Sequence, residues 1–125
     1  MKLEGIDHVA IAVPDIAETI AWYRDILGFE RQHEEQWNGV PAFIALGSTA
    51  IALFPLRKAH RTGSPAGGPM RHLAFRTDRA GFRQAQEELK AHGISWRFED
   101  HGIAHSIYFS DLNRLPLEIT TYEVA

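Results

Sequence analysis

Three residues far apart along the chain could together hold a divalent cation: His8, His72 and Glu118. Two imidazoles and one carboxylate suit Fe(II), Mn(II), Zn(II) or Ni(II), and a set of three ligands leaves positions open for substrate or water. Each residue also has a duller role open to it. A strand histidine is commonly packed or hydrogen-bonded, and a strand glutamate can pair with a base at a sheet edge. Their surroundings favour the metal role. His8 lies within the alternating run Gly5 to Val13 (GIDHVAIAV), His72 within Met70 to Thr77 (MRHLAFRT), and Glu118 within Leu115 to Tyr122. Alternation in period two marks a half-buried strand, on which residues two apart share a face. His8 then shares its face with Ile6, Ala10 and Ala12, His72 with Ala74, and Glu118 with Thr120 and Tyr122. Val9, Ile11, Leu73, Phe75, Leu117 and Ile119 point the other way. The candidate ligands therefore have mostly small or polar neighbours, and the bulky face is left for a helix.

The elements that would position these residues occur twice. After the first strand, Pro14 and Asp15 close it and open a helix. Asp15 and Glu18 have capping-box spacing, Ile16, Ile20, Tyr23 and Leu27 recur at helical period, and Gly28 is placed for a stop. Three strand-like runs follow, Phe29 to Gln36, Pro41 to Leu46 and Thr49 to Pro55. From Leu56 to Pro69 the composition shifts to Arg, Lys, Gly, Ser and Pro, which reads as a linker. The order then repeats: the His72 strand, a cap at Asp78, a stripe of Phe82, Ala85 and Leu89, a stop at Gly93, and strand candidates Ile94 to Glu99, Ser106 to Ser110 and Leu115 to Tyr122. The two histidines are offset by 64 residues, the caps by 63 and the stops by 65. Such matched punctuation predicts an α+β chain of two βαβββ modules, about 3–56 and 70–123, joined by a linker at about 56–69.

Bulk properties narrow the functional classes. With 125 residues, 45% hydrophobic and 23% charged, the chain can bury a core without covalent staples. A formal net charge of −3 with scattered bases argues against a nucleic-acid partner. The absence of cysteine excludes disulfides, thiolate metal sites and cysteine nucleophiles. No apolar run approaches a membrane span, and the first residues do not read as a signal peptide, so a cytoplasmic protein without membrane contact is expected. Gly63 to Gly68 (GSPAGG) lacks the lysine and following helix of a phosphate loop, and no G-x-S-x-G elbow exists. Trp22, Trp37 and Trp96 could line a ligand cavity, but Trp22 fits a helix face and packing is the expected role of all three.

Three segments carry a family resemblance: IDHVAIAVPDIAETIAWYRDILGFE, MRHLAFRT and HSIYFSDLNRLPLEITTYE. Over about Leu3 to Glu123 the chain resembles the vicinal oxygen chelate superfamily, which includes glyoxalase I, fosfomycin-resistance proteins, bleomycin-binding proteins and extradiol dioxygenases. The resemblance implies a single 3–123 domain whose paired modules form a cupped mixed sheet with helices on its outer face. It also implies a homodimer, a small-molecule substrate, and metal positions at His8, His72 and Glu118. The fourth, carboxylate ligand of glyoxalase-type sites would fall in Thr49 to Pro55 (TAIALFP), which holds no acid and no histidine.

The C-terminal segment resembles the extradiol dioxygenase signature, in which a histidine precedes a tyrosine ten residues before the metal glutamate; His101 and Tyr108 stand there. The family's Asp-Pro-x-Gly turn is replaced by Asp111-Leu112-Asn113-Arg114, and Glu99 also departs from the pattern. By this resemblance Tyr108 would hydrogen-bond a metal-bound oxygen, and His101 or His105 would move a proton. Fosfomycin-resistance thiol transferases share the three ligands, and Ser106 and Tyr108 match part of their cation loop, whose first serine falls on Gly102. The function implied is a metal-dependent dioxygenase, lyase or isomerase acting on a vicinally oxygenated molecule. The alternatives are a non-catalytic drug-binding dimer of the bleomycin-resistance type and a thiol transferase.

Overall fold

Alternating apolar residues at Val9, Ile11 and Val13 form strand β1 (Val9–Val13), in which these three side chains are more buried than Ala10 and Ala12 between them. The computed structural model describes residues 1–56 and 69–125. The expected linker, apart from its two ends, and the Gly63 to Gly68 stretch lie outside the described residues. Two units are distinguished, Met1–Thr62 and Gly63–Ala125.

In the first unit β1 leads into helix α1 (Ile16–Trp22), followed by β2 (Glu30–Gln32), β3 (Ala42–Leu46) and β4 (Thr49–Pro55). The sheet order is β1-β4-β3-β2, with β1 parallel to β4 and the other neighbours antiparallel. The second unit has β5 (Leu73–Arg76), helix α2 (Arg79–Ala91), β6 (Arg97–Asp100), β7 (His105–Ser110) and β8 (Pro116–Thr121). Its sheet order is β5-β8-β7-β6, again with only the first pair parallel. Each unit is thus a βαβββ module with a mixed four-stranded sheet.

The helices begin where their caps place them. The Asp15 carboxylate accepts from the Glu18 N–H at 2.9 Å, and the Asp78 carboxylate accepts from the Gly81 N–H at 2.7 Å. These bonds satisfy donors that the first helical turn leaves orphaned. Phe82 and Leu89 turn the buried stripe of α2 toward its sheet, where the helix contacts β8. The first helix differs from the single run expected to Leu27. Its last turn, Tyr23–Leu27, widens to π-helical geometry, and Gly28 adopts a left-handed φ of 80°. The Phe29 N–H then reaches back to the Tyr23 carbonyl at 3.1 Å, and both rings are fully buried edge-on, 5.5 Å apart.

Strand bounds also differ from expectation, in the same way in both modules. β1 starts at Val9 rather than Gly5 and β5 at Leu73 rather than Met70, so His8 and His72 each stand immediately before a strand. Among the described residues, β1 and β5 each stand at one end of their sheet's strand order. The run expected as a strand from Phe29 to Gln36 pairs only at Glu30–Gln32. Beyond it the backbone turns left-handed at His33, Trp37 and Asn38, with φ of 56°, 57° and 53°. Each such residue costs about 1–2 kcal/mol relative to an ordinary conformation.

Replacing Asp78 with alanine orphans the Gly81 N–H at the start of α2. Urea denaturation of Asp78→Ala is expected to show a loss of about 1 kcal/mol with an unchanged slope.

Candidate metal centre

The second unit brings His72 and Glu118 together. Parallel pairing sets Ala74 opposite Glu118, and antiparallel pairing sets Tyr108 opposite Glu118 on the other side. His72 Nε2 lies 2.9 Å from Glu118 Oε1; the His72 side chain is 40% exposed, that of Glu118 only 10%. A carboxylate so far withdrawn from water requires partners. Ser106, fully buried, donates its hydroxyl to Glu118 Oε2 at 2.6 Å. The same Ser106 hydroxyl lies 2.9 Å from the Thr120 hydroxyl, which in turn donates to the His105 carbonyl at 3.3 Å.

Beside this pair stands a second one. The Tyr108 hydroxyl is 2.9 Å from His101 Nε2, and the Tyr108 ring meets the His72 ring edge-on at 5.9 Å. Arg97, opposite Tyr108 in the register, lays its guanidinium over that ring at 4.7 Å and pairs with Glu99 at 2.5 Å. The Glu99 carboxylate also lies 3.7 Å from His101 Nε2. Burial, then the charges of Glu118 and Glu99, hold the Tyr108 phenol above its ordinary pKa of 10.0. At neutral pH it is therefore a proton donor.

The turn that aims β8 is closed by Asp111. Its carboxylate accepts from the Asn113 N–H at 2.7 Å and the Leu115 N–H at 2.9 Å. Arg114 takes a left-handed φ of 67° at the position where the related turn has glycine. The turn closes without the Pro and Gly, and the β7–β8 register sets Tyr108 against Glu118.

In the first unit His8 is bonded through Nδ1 to the Asp7 carboxylate at 2.8 Å. A carboxylate accepting from one ring nitrogen fixes the tautomer and leaves the lone pair on the other, Nε2, for a metal. The His8 ring rests edge-on against Phe43 at 5.5 Å. Among the described residues, no group of three or more His, Asp or Glu side chains is gathered closely enough to hold a metal ion.

Residues 5–119 match the family model of the Glyoxalase/Bleomycin resistance protein/Dioxygenase superfamily. The chain belongs to this superfamily. It is 30% identical to the uncharacterized protein YaeR of Escherichia coli (strain K12), over 95% of this chain and 97% of that protein. It is 31% identical to the metallothiol transferase FosB of Staphylococcus haemolyticus, over 95% of this chain and 84% of FosB. Its fold resembles that of the lactoylglutathione lyase from Agrobacterium tumefaciens, with a TM-score of 0.72, 19% identity, and coverage of 99% and 98% of the two chains. Membership accounts for the doubled βαβββ order, and a divalent metal is in keeping with the metallothiol transferase among the relatives.

The donor chemistry in the second unit fits such an ion. Two ligands at about 2.1 Å from one metal, at a right angle, lie about 3 Å apart, close to the 2.9 Å between His72 and Glu118. The position matching Glu118 in the first module is Ala52, since Ala10 pairs with Ala52 as Ala74 pairs with Glu118. No fourth carboxylate stands there. Of the two histidines expected to move protons, the fold brings only His101 to Tyr108. His105 alternates with Ser106 and Tyr108, so it faces the other side of β7, 3.5 Å from Asp100 and against Phe98.

Sequence reasoning missed three partners. Ser106 was legible as a neighbour of Tyr108 through alternation, but its bond to Glu118 depends on cross-strand register. Asp7 was hidden because strand alternation sends adjacent residues to opposite faces, a rule that lapses once His8 lies outside β1. Arg97 reaches Tyr108 only through the β6–β7 pairing.

Because the folded state favours the protonated phenol of Tyr108, its contribution to stability is full below the unfolded pKa, about 10. It is lost as pH rises through the higher folded value. The phenolate absorbance step that disappears in Tyr108→Phe is expected to have its midpoint above pH 10.0. In the same variant, stability should fall less steeply in alkaline solution.

Proposed function

We propose that this protein is a divalent-metal-dependent enzyme acting on a small, vicinally oxygenated substrate, with His8, His72 and Glu118 as the metal ligands. The observation that carries this reading is the His72–Glu118 pair at 2.9 Å with the Tyr108–His101 pair directly beside it. The ion, when bound, would act as a Lewis acid on the substrate oxygens. Glu118 is oriented by Ser106, and His8 by Asp7. Tyr108 holds a proton at its hydroxyl and donates it toward a substrate oxygen; His101, within hydrogen-bond reach, resupplies it. A lyase, isomerase or extradiol-dioxygenase-type reaction uses such a donor, and an Fe(II) or Mn(II) ion would be needed only for the last. His105, on the opposite face, takes no part. The expected homodimer belongs to the same proposal.

Elemental analysis of protein purified without chelators is expected to find one Fe, Mn, Zn or Ni per His8, His72 and Glu118 set. In His72→Ala affinity should fall by at least about 10–100-fold, the range seen even for lesser changes around a metal. Protein that neither carries nor takes up any of these ions would overturn the reading.

A second reading, a thiol transferase, is favoured by the 31% identity to FosB across 95% of the chain. Catechol and hemithioacetal turnover is expected on the first reading, and consumption of a thiol with fosfomycin on the second. Either activity should drop by about 10²-fold or more in Tyr108→Phe if the phenol supplies acid catalysis.

A further inference from the structure

The register that aligns the two modules shows that their faces carry different side chains. Across β8, β7 and β6 the second unit lines up Glu118, Tyr108 and Arg97. Across β4, β3 and β2 the first unit lines up Ala52, Phe43 and Gln32. The histidine–aromatic contact is retained in both, His8 on Phe43 and His72 on Tyr108. From Phe43 outward, however, the first unit assembles rings rather than charges. His33 lies 5.3 Å and Trp37 6.1 Å from Phe43, and the two lie 5.7 Å from each other.

Trp37 was expected to be a packing residue, yet it is 51% exposed, with Val40 beside it also open. Its position is nonetheless fixed: three ring contacts hold the cluster, and the backbone of His33, Trp37 and Asn38 stays left-handed. An indole that is both exposed and already ordered loses little freedom when a flat ligand stacks on it. The cluster is continuous with His8 through Phe43, so a molecule lying on it would have its end at the His8 imidazole.

The three rings are tilted to one another by 48° to 73°, so they buttress rather than share a plane. We propose that Trp37, held by His33 and Phe43, is a stacking platform for the planar ring of the substrate, whose oxygens reach the ion at His8. The inference rests on the metal reading above and narrows its substrate class to aromatic or conjugated molecules. Small aliphatic acids and epoxides would leave the platform unused.

Benzohydroxamate and acetohydroxamate share one chelating head and differ by the ring, so calorimetric titration of each into the Mn(II)-loaded protein separates platform from metal. Benzohydroxamate is expected to bind about tenfold tighter or more. In Trp37→Ala that ratio should collapse toward one while acetohydroxamate affinity is unchanged, and Trp37→Phe should restore part of it. If Trp37→Ala also loses acetohydroxamate, the comparison of Trp37→Phe with Trp37→Leu decides by the same ratio. Equal affinities in the wild type, or a ratio indifferent to Trp37, overturn the platform while leaving the metal centre standing. A change of oligomeric mass in Trp37→Ala with the ratio intact would assign the patch to a second copy of the chain, and also overturns it. Failure of both hydroxamates to bind overturns the metal reading and the platform with it.

Discussion

A carboxylate placed in mid-strand and cut off from water must be held by its neighbours, and Glu118 imposes that demand on the whole second module. Ser106 can donate to it only because β7 and β8 pair in the register that sets Tyr108 opposite Glu118. His72 can reach it only because β5 runs parallel to β8 with Ala74 alongside. That parallel pairing in turn needs the crossover through α2, begun by the Asp78 cap and fixed by Phe82 and Leu89. The Asp111 turn sets the register from the other end. Among the described residues, no buried side-chain nitrogen or oxygen lacks a partner.

The two modules share topology and differ in chemistry. Both keep a histidine just ahead of the edge strand, an aromatic ring against it, and a capped helix behind the sheet. The second adds a carboxylate, hydroxyls and charges; the first replaces them with alanines and aromatic rings. A duplicated fold can diverge in this manner because the residues on the site face of each strand are separate from those that pack the helix. Ala52 can stand where its counterpart is Glu118 while Ile51 and Leu53 continue to fill the core.

Much of this was legible in the sequence. The caps at Asp15 and Asp78, the stops at Gly28 and Gly93, and the paired histidines stood at matching offsets, and each follows from local chemistry. The alternation around Glu118 already marked it as a polar residue on a strand whose other face is apolar. What escaped were features that arise from pairing or backbone strain. The early end of β2, the left-handed turn through Trp37 and the Asp7–His8 bond have no periodic signature. His101 and His105 looked equivalent in a linear reading, whereas His101, just past the end of β6, reaches the Tyr108 hydroxyl and His105, at the start of β7, lies against Phe98.

The Ala52 position bears on how reversible the divergence is. A carboxylate introduced there would lie in line with His8, as Glu118 does with His72. It would then meet Pro41 and Phe43 where Glu118 has Ser106 and Tyr108, for β3 supplies no hydroxyl at either place. His8 would then be its partner in place of the hydroxyls that also hold Glu118. A fourth carboxylate ligand at this place would therefore lack the hydroxyl partners that Glu118 has on its neighbouring strand.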